Sequence, residues 1–423
     1  MKSKPVQWLM AAALILAIAV PGWAQPDLVG GEFRVNQNNQ PRQLKPQVAF
    51  SPSGSSLIVW ENDLLGILAR AFDRNGKPTT PEMVLVGNTN LPVMPGRGNV
   101  ILRKEPALVF LPGGEYFVFW TEQKDYLVID YFYEQRQVLE QDVYGQRFSA
   151  EGVPLGARFR LSTSTSEFQR RPKATLTPTG IAVVWEQAAK TSERDSIALH
   201  GRLLTRRGAP AGAEFRVDAG DSPEIWTPTL AANASGELLV AWEAGSVNTP
   251  DILARLYDRD GDALGDAFVA NPSTPGKQRR PAALATRDGD FLLVWQSTLS
   301  GTPIRSTVGQ LYSPAGARIG GEIEMSTAAE GHLHIAPALA LLPSGNVVVT
   351  WIDWTGTWPT GLYARELDRN GTPVGNKVLI SQDRMYPQYQ TSVAANAHGD
   401  ILAAWESRIT RARAIAARRL KAD

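Results

Sequence analysis

Ser56-Leu57-Ile58-Val59-Trp60-Glu61-Asn62, with the turn residues Pro52-Ser53-Gly54 ahead of it, is the stretch from which the rest of the chain can be read. Its signature, a short apolar run closed by tryptophan, returns six more times. The copies are Phe117-Val-Phe-Trp120, Ala182-Val-Val-Trp185, Leu239-Val-Ala-Trp242, Leu293-Val-Trp295, Val348-Val-Thr-Trp351 and Leu402-Ala-Ala-Trp405. Subtracting successive tryptophan numbers gives spacings of 60, 65, 57, 53, 56 and 54 residues. A repeat of that length means a solenoid, a propeller or a tandem array, because one unit cannot bury its apolar face alone.

One whole unit runs from Phe215 to Phe268. It contains Glu214-Phe-Arg-Val217, Pro228-Thr-Leu-Ala231, Leu238-Leu-Val-Ala-Trp242, Ile252-Leu-Ala-Arg-Leu-Tyr257 and Leu264-Gly-Asp-Ala-Phe268, with turns at Asn233-Ala-Ser-Gly236 and Asp258-Arg-Asp-Gly261. Apolar pieces of five or six residues, bounded by Gly, Asn, Asp or Pro and lacking a helical period, are strand signals. Four short strands per unit predict the blades of an all-β propeller. From the centre outward they are a (Pro-x-x-Ala), b (ending in Trp), c (Ala-Arg-x-aromatic) and d (Gly-x-Glu-Phe-x-Val). After Trp405 only one further strand remains, Ala414–Leu420, whereas residues 25–36 form a strand d with no a, b or c before it. The missing piece at one end is the spare piece at the other. A seven-bladed ring closed by the N-terminal strand is expected, which also protects strand edges; an open solenoid would show no such complementarity.

In this frame the seven repeated tryptophans are core. The acid after most of them (Glu61, Glu186, Glu243, Glu406) is expected to neutralise the repeated arginine of strand c.

The chain has 423 residues, no Cys, 43% hydrophobic and 20% charged residues, and a formal charge of +1. Residues 1–24 read as a signal peptide: Lys2 and Lys4, an apolar run from Leu9 to Val20, then small residues before Gln25. The alternative is an uncleaved anchor. Cleavage removes two Lys and no acid, leaving residues 25–423 as a single propeller domain at −1. No membrane span then remains, and a near-neutral chain offers no general field for nucleic acid or anionic membrane. Export without cysteine points to a bacterial periplasmic or secreted protein.

Short, uniform a–b and c–d turns contrast with long, dissimilar b–c and d–a connections, which share one rim around the channel. Variable loops on a rigid scaffold are where function usually sits. Three features stand out there. Blade 2 carries an insertion at about 123–142 with Tyr126, Tyr131 and Tyr133, expected as an extended b–c hairpin that either overhangs the channel or packs on blade 3. Blade 6 carries Trp354 and Trp358 in a Gly/Thr loop, suited to stacking on sugars or gripping a protein unless the loop packs on itself; Trp226 is the third indole out of period. Arg170-Arg171 and Arg279-Arg280, each between Gln and Pro, are placed at the channel mouth as an anion clamp or as inter-blade salt bridges.

Other chemistry is thin. His332 and His334 are a weak metal signal without further partners; no metal site and no cofactor motif is expected. Asp258-Arg-Asp-Gly-Asp262 lacks the spaced acids of a calcium loop and reads as a turn.

The consensus Gly-x-Glu-Phe-x-Val-Asn, Pro-x-x-Ala, Val-x-Trp and Ala-Arg-x-Phe-Asp-x-x-Gly resembles a propeller-type repeat of exported bacterial proteins, seen best in Glu32–Asn36, Glu214–Val217 and Ala364–Gly371. The resemblance implies a fold and a compartment, and such proteins are mostly of unassigned function. Blade 2 departs from the pattern, as do blades 5 and 6, which lack the Glu-Phe pair. Sialidase Ser-x-Asp-x-Gly-x-Thr-Trp boxes and repeated kelch Gly-Gly pairs are absent. The first functional reading is a non-enzymatic binding scaffold for a protein or glycan. The second is a carbohydrate-active hydrolase or lyase using Asp63, Asp125, Asp195 or Asp353 at the channel mouth. The sequence leaves ligand and oligomeric state open.

Overall fold

Residues 26–422 are described by a computed structural model, apart from 39–41, 95–96, 130–133, 191–195, 219, 221–223, 274, 299–304, 327–331, 355–358, 383–387 and 410–411. The signal-peptide expectation therefore lies outside the described residues, as do Tyr131, Tyr133, Asp195 and Trp358. Every element is a β-strand, and the strands form seven antiparallel blades arranged in a ring. No helix among the described residues is long and apolar enough to cross a membrane.

The ring closes as the termini predict. Asp27–Arg34 pairs antiparallel with Ala412–Lys421, Leu28 opposite Leu420 and Phe33 opposite Ala417. Just beyond, the amide of Val35 donates to Ile415 O at 2.8 Å, and the amide of Ile415 donates to Asn36 Oδ1 at 2.8 Å. The Asn of the Val-Asn motif is thus a ladder extension: where the outermost strand ends, a side-chain oxygen takes the next amide of strand c. Asp218 does the same for Leu199, Asn271 for Ile252 and Ser381 for Leu362.

All seven repeated tryptophans are at most 1% exposed. Each fills the wedge toward the preceding blade: Trp60 packs with Leu402 and Ala404, and Trp295 with Ala241 and Ala254. The turn at Asp258 is an Asx turn, its Oδ1 accepting the amides of Asp260 and Asp262, with Gly261 at φ 90° where other residues would be strained.

One expectation about pairing is corrected. Among the described residues, the repeated arginines Arg70, Arg202, Arg255 and Arg418 show no ion pair with the post-tryptophan acids, although Arg413, at the start of strand c in blade 7, bridges Glu406 at 3.0 Å. Arg70, Arg202, Arg255 and Arg418 donate instead to Val35 O, Leu161 O, Val217 O and Ile380 O, carbonyls of the preceding blade's outer strand. They stitch the outside of each seam, and the acids serve its inside.

Blade 2 is larger than the sequence indicates. Its b and c strands, Tyr116–Ile129 and Glu134–Phe148, form the extended hairpin expected there. Strand a (Arg97–Phe110) lengthens in step and recruits an additional strand, Thr89–Met94, from the d–a connection. Strand b runs nine residues beyond Trp120, against two beyond Trp60 in Ser56–Asn62. At about 3.3 Å per residue that difference carries the sheet roughly 20 Å past its neighbours.

Candidate functional site

Strand a of each blade is interrupted at the same place. In blade 1, Leu44 opposes Glu61 and Gln47 opposes Val59, so Lys45 and Pro46 share a single partner position, which is a β-bulge. The first bulge residue is left-handed in every blade: Lys45 (φ 52°), Glu105 (59°), Arg171 (55°), Thr227 (47°), Arg280 (53°), Ala336 (53°) and Gln390 (28°). In six of the seven a proline follows, with no amide to lose from the ladder. Non-glycine residues adopt that conformation at a cost of about 1–3 kcal/mol, so something must hold them there.

The holding groups are the periodic acids. The amide of Lys45 donates to Glu406 at 2.8 Å, that of Glu105 to Glu61 at 2.9 Å, that of Thr227 to Glu186 at 3.0 Å and that of Arg280 to Glu243 at 2.7 Å. In blade 2 Thr121 stands in the acid's place, and the amide of Arg171 donates to its hydroxyl and to Glu105 Oε2, both at 3.0 Å. Each acid reaches from strand b of one blade to the bulge of the next. In blades 5 and 6 the corresponding residues are Gln296 and Ile352.

The bulge residues ring a cavity of about 370 Å³ at the end of the channel from which the long loops emerge. Lys45 Nζ lies 3.1 Å from Glu61 and 3.2 Å from Glu105, and Arg171 bridges Glu105 at 3.6 Å and Glu186 at 3.1 Å. Burial alone would raise the Glu105 carboxyl, but Lys45 and Arg171 hold it down at about 2. Burial also works against the Lys45 ammonium, yet Glu105 and Glu61 keep it above its usual value. For Glu61, burial outweighs Lys45 and the pKa rises. Lys173 and Arg280 differ from these: both are exposed to water in the cavity, and among the described residues neither side chain has a hydrogen-bonding partner. Desolvation by the enclosing walls lowers the pKa of both, offset in part by Glu105 and Glu243 respectively.

The expected site residues are distributed unevenly. Arg171 and Arg280 line the cavity. Arg170 is buried and donates to Glu186 at 3.2 Å. Trp226 is half-buried and sits opposite Glu243, which is the slot that Arg170 occupies opposite Glu186 and Arg279 opposite Gln296. It is therefore in period by structure although out of period by residue type. Trp354 ends strand b of blade 6 and packs on Tyr389, ring centroids 6.1 Å apart, with Arg413 over the same tyrosine at 4.6 Å. Tyr126 lies half-buried on the blade 2 extension between Asn99 and Gln137 and does not line the cavity.

The acids proposed for catalysis are engaged elsewhere. Asp63 pairs with Arg42 at 3.3 Å, and buried Asp125 accepts from Gln123 at 2.7 Å. His332 Nδ1 and His334 Nε2 approach the same oxygen of Asp353 at 2.8 and 3.7 Å. Ser326 Oγ lies 2.5 Å from His334 Nδ1, so a Ser-His-Asp set is present in composition. Ser326 is 5% exposed and accepts the amide of Thr307 at 3.3 Å, the same ladder duty as Ser381, which makes it a structural hydroxyl. Burial outweighs Asp353 and brings His334 down to about 4.

No protein-family model matches the chain, and no curated protein matches it. Among solved structures it is similar to a protein of unknown function from Dyadobacter fermentans, at 12% identity and a TM-score of 0.52, covering 96% of this chain and 100% of that one. That likeness supports the propeller fold alone. An alpha-L-arabinofuranosidase from Fusarium graminearum (9% identity, TM-score 0.47, 94% and 98% covered) is more distant. So is an alpha-L-arabinanase from Penicillium chrysogenum (10%, 0.44, 95% and 99%).

Proposed function

We propose that the protein is an exported, non-enzymatic scaffold that binds a glycan or protein ligand at the long-loop mouth of its channel. The observation that carries this reading is the cavity to which all seven blades contribute, with Lys173 and Arg280 turned into it and no side-chain partner among the described residues. Cations kept in a walled site with no acid hydrogen-bonded to their head groups favour an anionic group on the ligand. The N-terminal charge and apolar pattern and the absence of cysteine support export.

A glycoside hydrolase ordinarily uses two carboxyl groups about 5–10 Å apart that face the substrate. The cavity presents one, Glu105, and Lys45, Arg171 and Thr121 hold it ionised and occupied.

The test is binding of the mature protein to immobilised neutral and acidic glycans and to envelope proteins, alongside a Lys173→Ser/Arg280→Thr variant. Retention that disappears in the variant, with its melting temperature nearly unchanged, supports the scaffold. Release of reducing ends by the wild type, lost in Glu105→Gln, would replace it with the enzyme.

A further inference from the structure

Four of the seven seams carry the post-tryptophan acid on their inside, and among the other three the seam at Gln296 has a consequence for charge. Strand a of blade 5 (Lys277–Ala285) pairs with strand b (Phe291–Thr298) so that Lys277 opposes Thr298 and Arg279 opposes Gln296. Directly opposed residues share a sheet face. All four therefore leave the sheet on the side of blade 6, where Ile335 borders a cleft of about 130 Å³ that Arg280 also lines, and the Arg279 head group turns back to the b–c loop of blade 4. In blade 3 the residue in the place of Gln296 is Glu186, and it neutralises both arginines. Here it is a neutral amide.

Three cations thus share a small cleft with no acid on that face. Glu243, on the blade 4 side, takes the main-chain amide of Arg280 at 2.7 Å. Arg279 spends one terminal nitrogen on Val247 O at 2.5 Å, while its buried Nε donates to nothing. Gln296 is 2% exposed, and its carbonyl oxygen and the Thr298 hydroxyl are buried without a partner. Unpartnered buried polar atoms are uncommon and costly. The unspent donors are Arg279 Nε and the Thr298 hydroxyl, beside the Lys277 and Arg280 head groups. The Gln296 amide, by turning its nitrogen inward, adds another, so the set has the chemistry to receive an acceptor with several lone pairs. We propose that this cleft binds a single oxyanion, the carboxylate, sulfate or phosphate group of a ligand, between Lys277, Arg279 and Arg280 and over Gln296 and Thr298. The space is on the order of a few water molecules, enough for such a group and too small for a sugar ring. The inference deepens the reading of the channel mouth as the binding end, since Arg280 belongs to both, and it assigns the ligand's anionic group to one seam.

The test is thermal unfolding and calorimetric titration of the mature protein with inorganic sulfate, inorganic phosphate and glucuronate, each against chloride at matched ionic strength. The three arms separate sulfate, phosphate and carboxylate as the source of the group. At least one should raise the melting temperature beyond chloride. Gln296→Glu, which supplies the acid that Glu186 provides in blade 3, and Lys277→Gln should each weaken that anion by at least about tenfold, the worth of one charge-assisted hydrogen bond. No response beyond chloride, or one unchanged in both variants, overturns the site. A sulfate response without any ligand capture would sink the scaffold and leave the cleft; capture without any oxyanion response would do the reverse.

Discussion

Gln169-Arg-Arg-Pro172 and Gln278-Arg-Arg-Pro281 are identical tetrapeptides at the same place in blades 3 and 5, and their surroundings differ. In the first, Glu186 is fully buried, accepts from Arg170 and Arg171, and also holds the amide of Thr227 in the next blade. In the second, the paired residue is Gln296 and the arginines keep unspent donors. A repeated motif is read correctly only with the residue that faces it from the neighbouring strand. The same side chains make a strut in one seam and a receptor in the other.

The largest way to break this contrast is Glu186→Gln, which gives seam 3–4 the chemistry of seam 5–6. It leaves two arginines without their carboxylate and weakens the acceptor that fixes a left-handed residue. Removing one partner of a buried ion pair costs about 3–5 kcal/mol. Denaturant unfolding should show that loss, and a change below about 1 kcal/mol would mean the strut carries little load.

His334 offers a third version of the same seam. It stands where Gln43 and Gln278 accept the indole N–H of Trp60 and Trp295, at 2.7 and 3.0 Å, and Trp351 Nε1 has no partner. Its folded pKa, about 4, lies below the ordinary histidine value. The unfolded chain therefore binds the extra proton first, and the stabilisation is present above about pH 6.5 and lost as pH falls toward 4. The span corresponds to a loss on the order of 3 kcal/mol. His334→Gln should flatten stability across that interval and give Trp351 an acceptor. A pH profile identical to wild type would show that other groups carry the acid sensitivity.

These seams also mark how far the sequence could be read. Blade number, strand order and closure by residues 27–34 follow from the tryptophan period and the unequal termini, because strand alternation and turn residues are local signals. The role of Glu61 was not legible: its partner amide belongs to Glu105, brought close only by stacking of blades. The left-handed ring at Lys45 through Gln390 is equally hidden, since a residue before proline normally signals extended backbone. Strand Thr89–Met94 escaped because its pairing depends on the unusual length of its neighbour Arg97–Phe110. Of the two arginine pairs that the sequence singled out, Arg171 and Arg280 line the cavity, and their partners could not be read from the chain.

Gln296→Glu sharpens the comparison from the other side. The new carboxylate would face Arg279 as Glu186 faces Arg170, and a net gain of about 1 kcal/mol is expected from one charge-assisted contact. A loss of stability would mean that the cleft cannot seat an acid and that Gln296 is chosen for shape.

Trp226 is the smallest effect and the most direct check on slot equivalence. It opposes Glu243 as Arg170 opposes Glu186, and it is only half-buried. If the slot, rather than the indole, is what the repeat requires, Trp226→Arg should be accepted. The arginine stem can cover the apolar surface that the ring covers now, and its head group meets a carboxylate already in place. Melting of the variant should then fall within about 1 kcal/mol of wild type, as for a tolerated surface change. A loss above about 3 kcal/mol, typical of a buried aromatic deletion, would instead make Trp226 a core plug and separate blade 4 from the rule that joins blades 3 and 5.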